Sequence, residues 1–154
     1  VKAGADELDI VPNLGVLLTG GDEEFLNEMK GIVSAVRAQG KPTIIKFILE
    51  TGYLDPLPDP SMRIKQGAKL IQQSGADFVK ICSGMGRRGA SLEDLRLVRE
   101  AVGADMKIKV SGGIDTYEEA KAFLDAGANR IGTSHAVAII QEARTFTKTK
   151  DPAP

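Results

Sequence analysis

Two lysines, Lys80 and Lys109, interrupt apolar strand-like runs: Asp77-Phe78-Val79-Lys80-Ile81-Cys82 and Met106-Lys107-Ile108-Lys109-Val110. A lysine in such a run sits where burial is usual, and a buried, unpaired ammonium is costly. If the runs are neighbouring strands, about 4.8 Å apart, with both side chains on one face, each ammonium makes the other harder to hold. One amine is then released as the neutral nucleophile that attacks a carbonyl. The structural alternative is that one or both lysines reach solvent or pair with Asp9 or Glu50. Asp9 breaks another apolar strand, Leu8-Asp9-Ile10-Val11. It reads either as an ion-pair partner for a lysine or as a proton relay, directly or through water. Lys46 lies in a similar run, Thr43–Leu49.

A second set of residues suits an anion. Gly112-Gly113 and Gly132-Thr133-Ser134 each end a strand-like run and precede a helix-like one. Exposed backbone N–H groups and helix N-termini favour a phosphate at such turns. Ser83-Gly84-Met85-Gly86, just past Lys80, offers further amides. Arg87-Arg88 reads as a solvated loop, Cys82 as a small core residue, and His135 as a helix-start residue. With one histidine and one cysteine in the chain, a multi-histidine metal site and a disulfide framework are both excluded.

The elements that must position these groups are marked by a recurring phrase: Gly4-Ala5-Asp6, Gly75-Ala76-Asp77, Gly103-Ala104-Asp105 and Gly127-Ala128-Asn129. Each copy follows a helix-like stretch and precedes a strand-like one. Glycine just past a helix end takes the left-handed conformation cheaply, and Asp or Asn starts the turn into a strand. Gly40-Lys41-Pro42 does the same job between the first two copies. The pattern predicts strands at 7–11, 43–49, 77–82, 106–110 and 129–133, and helices at 22–38, 60–73, 91–102, 116–126 and 135–146. Ser91 with Asp94, and Thr116 with Glu119, are capping-box pairs. Segment 52–60, with three prolines, reads as an ordered loop. Strands alternating with amphipathic helices imply a parallel sheet with right-handed crossovers. No Gly-x-Gly-x-x-Gly follows the first strand, which argues against a dinucleotide site. The Lys-bearing strand ends argue for an α/β fold of the (β/α)8 TIM-barrel type, incomplete in this chain with five β/α units, over residues 1–154 as one partial-barrel domain.

The bulk properties fit. The 154 residues are 42% hydrophobic and 27% charged, with net charge −1 from 20 basic and 21 acidic residues. Nothing in this balance favours nucleic acid or an anionic membrane as partner. No apolar run reaches membrane-span length, and one cysteine suits a cytoplasmic setting. The opening Val1-Lys2-Ala3-Gly4 reads like the end of a helix already under way, so a preceding segment is expected.

With these residues in place, the chain resembles the deoxyribose-phosphate aldolases, class I (Schiff-base) aldolases. The resemblance is carried by GADELDIVPNLGVLLTGG, TIIKFILETGYL, GADFVKICSGMGRRGASLEDLRLV and KIKVSGGIDTYEEAKAFLDAGANRIGTS, in the family's own order from about residue 3 to 140. It implies that Lys80 forms an imine with acetaldehyde and that Lys109 favours the neutral form of Lys80. Asp9 would relay protons with a water, and Lys46 would join the charged network near Asp9 on the substrate side. Gly84, Gly112, Gly113, Gly132 and Ser134 would hold the sugar phosphate. The implied reaction is reversible cleavage of 2-deoxy-D-ribose 5-phosphate to D-glyceraldehyde 3-phosphate and acetaldehyde, with no metal or organic cofactor.

Three departures bear on the phosphate. The family's Lys-Thr-Ser-Thr-Gly is here Lys80-Ile81-Cys82-Ser83-Gly84; its Gly-Gly-Ile-Arg is Gly112-Gly113-Ile114-Asp115; and its paired Ser-Ser is Ser134-His135. An anion at Asp115 replaces a phosphate-side cation, which points toward a less charged aldehyde acceptor. The family's first three β/α units have no counterpart here, so either the sequence is a fragment or a second chain, as in a homo-oligomer, covers the open barrel edges. Two other readings stand beside the lyase: a sugar-phosphate-binding or assembly protein without catalysis, and a class I aldolase with a different donor.

Overall fold

In the computed structural model, the backbone is described over residues 1–150 and side chains through residue 145. Five strands alternate with helices: β1 (Glu7–Ile10), β2 (Ile44–Ile48), β3 (Phe78–Lys80), β4 (Lys107–Ser111) and β5 (Arg130–Gly132). The helices are α1 (Leu14–Leu18), α2 (Asp22–Arg37), α3 (Pro60–Gln73), α4 (Leu92–Val102), α5 (Tyr117–Asp125) and α6 (Ala136–Lys150). All strand pairs are parallel, and the spatial order is the chain order, β1-β2-β3-β4-β5. A doubly wound sheet must reverse its strand order at one point. This one never does, so same-handed crossovers place every helix on one face and the sheet curls toward a barrel. The curl is visible in side-chain reach: Lys109 on β4 bonds Asp9 on β1, and Arg130 on one edge strand pairs with Glu7 on the other.

Period-two alternation divides the strands cleanly. Ile45, Phe47, Val79, Ile108 and Val110 face the helices and are buried against Phe25, Met29, Ile71, Leu95, Val98 and Phe123. The alternate positions, Glu7, Asp9, Lys46, Ile48, Phe78, Lys80, Lys107, Lys109, Ser111 and Arg130, line the concave face. The apolar layer therefore fixes the register that lines up the charged one.

The expected elements form within one or two residues of their predicted limits, except that α6 continues to Lys150 beyond the predicted end at 146. Both capping boxes are made: Ser91 and Asp94 bond reciprocally at the start of α4, as do Thr116 and Glu119 at α5, each cap contributing about 1 kcal/mol. Asp59 caps α3 ahead of Pro60. The Gly-Ala-Asp phrase does more than turn the chain. Gly75 and Gly127 take left-handed φ values of 85° and 98°. The Asp77 carboxylate then accepts from Ile45 N–H on the preceding strand at 2.7 Å, and the Asn129 amide oxygen from Ile108 N–H at 2.8 Å. Arg37 and Arg99 brace these two side chains. Two elements escape the sequence pattern: the five-residue α1, capped by Asn13, and a single 3-10 turn, Thr51–Tyr53, inside the proline-rich loop.

Candidate active site

Parallel register sets Lys80 directly opposite Lys109 and Asp9 directly opposite Lys46. The two lysine ammonium groups meet at one atom: Nζ of Lys80 and Nζ of Lys109 each donate to Asp9 Oδ2 at 2.7 Å. Lys46 Nζ lies 3.0 Å from Asp9 Oδ1 and 2.6 Å from Glu7 Oε2. Burial of Asp9 favours its neutral acid. Hydrogen bonds from Lys109, Lys80 and Lys46 outweigh that and hold its carboxyl well below the usual carboxylate range. Asp9 is thus an anion throughout the neutral range, a hydrogen-bond acceptor for the lysines rather than a standing acid. Pairing with Asp9 was the structural alternative to a catalytic lysine pair. The geometry makes the two compatible, since the same carboxylate that anchors the amines is within reach of any proton they exchange.

Around this centre the concave face carries Lys46, Lys80, Lys107, Lys109 and Arg130 against Glu7 and Asp9. Lys46, Lys107 and Arg130 ring Phe78 with their charges 5.9, 5.7 and 5.0 Å from its centroid, a layer of cation–π contacts beneath the lysine pair. Glu7, Phe78 and Arg130 were not singled out from the sequence. The signal was available in the i, i+2 relation of Glu7 to Asp9 and of Phe78 to Lys80, which puts each pair on one face.

Lys80 and Lys109 form the floor of an open cleft of about 350 Å³. Its walls are the strand-end turns: Ser83, Gly84 and Met85; Ser111 through Asp115; and Gly132, Thr133 and Ser134. Gly84, Gly112, Gly113, Gly132 and Ser134 therefore all stand on the cleft. Lys46 does not: at 2% exposed it lies behind Asp9. Gly112 needs its absent side chain, because φ is 91° and a Cβ there would lie 3.1 Å from the Cα atoms of Gly84 and Gly89. Ser111 donates to Cys82 O and Thr133 to Ile114 O, stitching adjacent turns together. Asp115 stands at the cleft mouth, paired with His135 Nδ1 at 2.8 Å. Arg88 is no free loop residue: it forks onto Asp55 and the buried Asp94. Among the described residues there is no group of three or more His, Cys, Asp or Glu side chains placed to hold a metal ion, and no helix long and apolar enough to cross a membrane.

A curled parallel half-barrel with a lysine pair at its strand ends is the architecture of a barrel aldolase. The chain belongs to the DeoC/LacD family of aldolases, whose family model matches residues 1–141. It is 45% identical over 139 residues to the deoxyribose-phosphate aldolase of Caldicellulosiruptor saccharolyticus, covering 90% of this chain and 60% of that protein. It is 47% identical over 144 residues to the deoxyribose-phosphate aldolase of Methanocella arvoryzae, covering 94% and 60%. Among solved structures, the tetrameric deoxyribose phosphate aldolase of Aeropyrum pernix superposes with a TM-score of 0.79 at 30% identity, over 94% of this chain and 58% of that one. The chain thus spans about 60% of the length of the curated relatives it matches.

Proposed function

We propose that this chain carries the imine-forming centre of a class I aldolase that reversibly cleaves 2-deoxy-D-ribose 5-phosphate to D-glyceraldehyde 3-phosphate and acetaldehyde. The observation that carries the reading is the single carboxylate oxygen shared at 2.7 Å by two lysine amines on the floor of an amide-walled cleft. In the synthetic direction, neutral Lys80 attacks the acetaldehyde carbonyl. The carbinolamine loses water to give the imine, and loss of an α-proton gives the enamine. The enamine carbon bonds to the aldehyde carbon of the acceptor, and water then releases the sugar and regenerates the amine. Asp9, through water, takes and returns the protons, and Lys109 stands beside Lys80 on the same carboxylate oxygen. Gly84, Gly112, Gly113, Gly132 and Ser134 receive the acceptor end, and Lys46 fixes Asp9 from behind. The test is to incubate the protein with acetaldehyde, reduce with borohydride and map the adduct by mass spectrometry. An adduct at Lys80 is expected; none anywhere would overturn the reading.

The cleft treats a phosphate unevenly. Backbone turns favour it, but Asp115 sets a negative charge at the mouth. At the start of α5, the Asp115 and Thr116 amides are already taken by the Glu119 carboxylate. Asp115→Asn is therefore expected to lower KM for 2-deoxyribose 5-phosphate by about threefold, the modest size reflecting an exposed charge. KM for unphosphorylated deoxyribose should stay unchanged, and steady-state kinetics on both sugars measures the difference.

The protein works in the cytoplasm in this reading, as a homo-oligomer, in keeping with its similarity to the tetrameric aldolase of Aeropyrum pernix. Sedimentation velocity should show an assembly at micromolar concentration; a folded monomer alone would exclude it.

A further inference from the structure

At the end of β2 the chain turns through Glu50, the one non-glycine among the described residues with positive φ (50°). That conformation costs a residue with a Cβ about 1–2 kcal/mol, while glycine adopts it freely. A glutamate held there is maintained against its backbone preference. Its carboxylate is buried, at 3% exposure. It does not join the lysines: both of its oxygens accept from Ser83 N–H at 3.2 Å.

The turn it grips is a wall of the catalytic cleft, through Ser83, Gly84 and Met85. Ser83 Oγ in turn accepts from Met85 N–H at 2.9 Å. Gly86 folds onto the carboxylate so closely that a Cβ would lie 2.5 Å from Glu50 Oε1. The far end of the loop is tied by Arg88, whose guanidinium binds Asp94 at 2.6 Å and Asp55 at 2.8 Å. Gly89 there packs against Gly112 O. Gly84 meanwhile abuts Gly112 on the opposite wall. A displacement of the Ser83 amide would therefore pass to the glycine turns that receive the acceptor end.

We propose that Glu50 is a positioning residue: from its left-handed corner it holds the Ser83–Met85 turn in place and so sets the width of the cleft at its acceptor end. The inference rests on the aldolase reading for its kinetic consequence only. Glu50→Gly removes the carboxylate and the backbone strain together, so the variant should fold with a Tm close to that of the parent. Glu50→Gln keeps an oxygen that accepts from Ser83 N–H.

Expected for Glu50→Gly is a KM for 2-deoxyribose 5-phosphate raised about tenfold, equivalent to one lost hydrogen bond to a charged group, with Lys80 trapping by acetaldehyde and borohydride reduced less than threefold. Amide hydrogen exchange at residues 83–86 should quicken in the same variant. Glu50→Gln should stay within about threefold of the parent in KM and keep its exchange protection. Unchanged KM and exchange in Glu50→Gly would overturn the proposal, as would a Glu50→Gln variant as impaired as Glu50→Gly, which would mean that the charge acts rather than the bond. If the parent protein traps no acetaldehyde, the aldolase reading fails, and the exchange experiment still decides the positioning role.

Discussion

Lys80→Leu is expected to lose the borohydride-stable acetaldehyde adduct and to lower kcat/KM for 2-deoxyribose 5-phosphate by at least about ten-thousandfold, a barrier increase of about 5.5 kcal/mol. The size follows from the role: without the Lys80 amine the imine that serves as electron sink does not form there. Leucine suits a site only 7% exposed, and Asp9 keeps Lys46 and Lys109 as partners. The fold should therefore survive, and circular dichroism with a thermal scan checks it. Lys109→Met separates the roles of the pair. Both amines lie 2.7 Å from the same Asp9 oxygen, so distance alone does not distinguish nucleophile from neighbour; the family resemblance selects Lys80. An adduct that persists at Lys80 in Lys109→Met, formed more slowly, fits that assignment. An adduct found at Lys109 in the parent would reverse it.

Much of this site was legible because barrel chemistry needs charge where the strand pattern calls for apolar residues. Lys46, Lys80, Lys109 and Asp9 each break a hydrophobic run. The Gly-Ala-Asp phrase supplied strand spacing, and spacing places consecutive strand ends side by side. The less legible features depend on partners distant in sequence. Arg88 looks like a solvated loop residue because Asp55 lies in another loop and Asp94 is occupied as a helix cap. Glu50 looks like a lysine partner until the left-handed turn after β2 aims it at a backbone amide. Helix α1 is too short for a 3.6-residue period to show. Lys46 is placed by the family resemblance in the charged network near Asp9; it sits opposite Asp9 in the ladder, and its pairing with Asp9 and Glu7 holds its charge behind the cleft.

The concave face gives the lysine pair a fixed counterion: one carboxylate, Asp9, shared by three lysines, with the cations around Phe78 beside it.

Asp9→Asn tests that arrangement in two ways. The amide can still accept one hydrogen bond but compensates no charge, so kcat is expected to fall about a hundredfold to ten-thousandfold, the range for losing a positioned proton acceptor. Stability should fall as well. Lys46, 2% exposed, retains Glu7, but Lys80 and Lys109 lose the one carboxylate that pairs with them among the described residues. Breaking a buried pair costs about 3–5 kcal/mol; with Asp9 itself 28% exposed, about 1–3 kcal/mol is expected here after solvent screening. The pH dependence fixes the sign. Because the folded-state carboxyl lies well below its ordinary value of 3.8, the stability it contributes is complete above pH 4 and drains away as pH falls through the lower folded-state value. Urea unfolding should show the parent more stable than Asp9→Asn at pH 7, with the gap closing only below about pH 4. A gap that stays constant down to pH 2 would mean that the lost stability came from packing rather than from the charge Asp9 shares among its lysines.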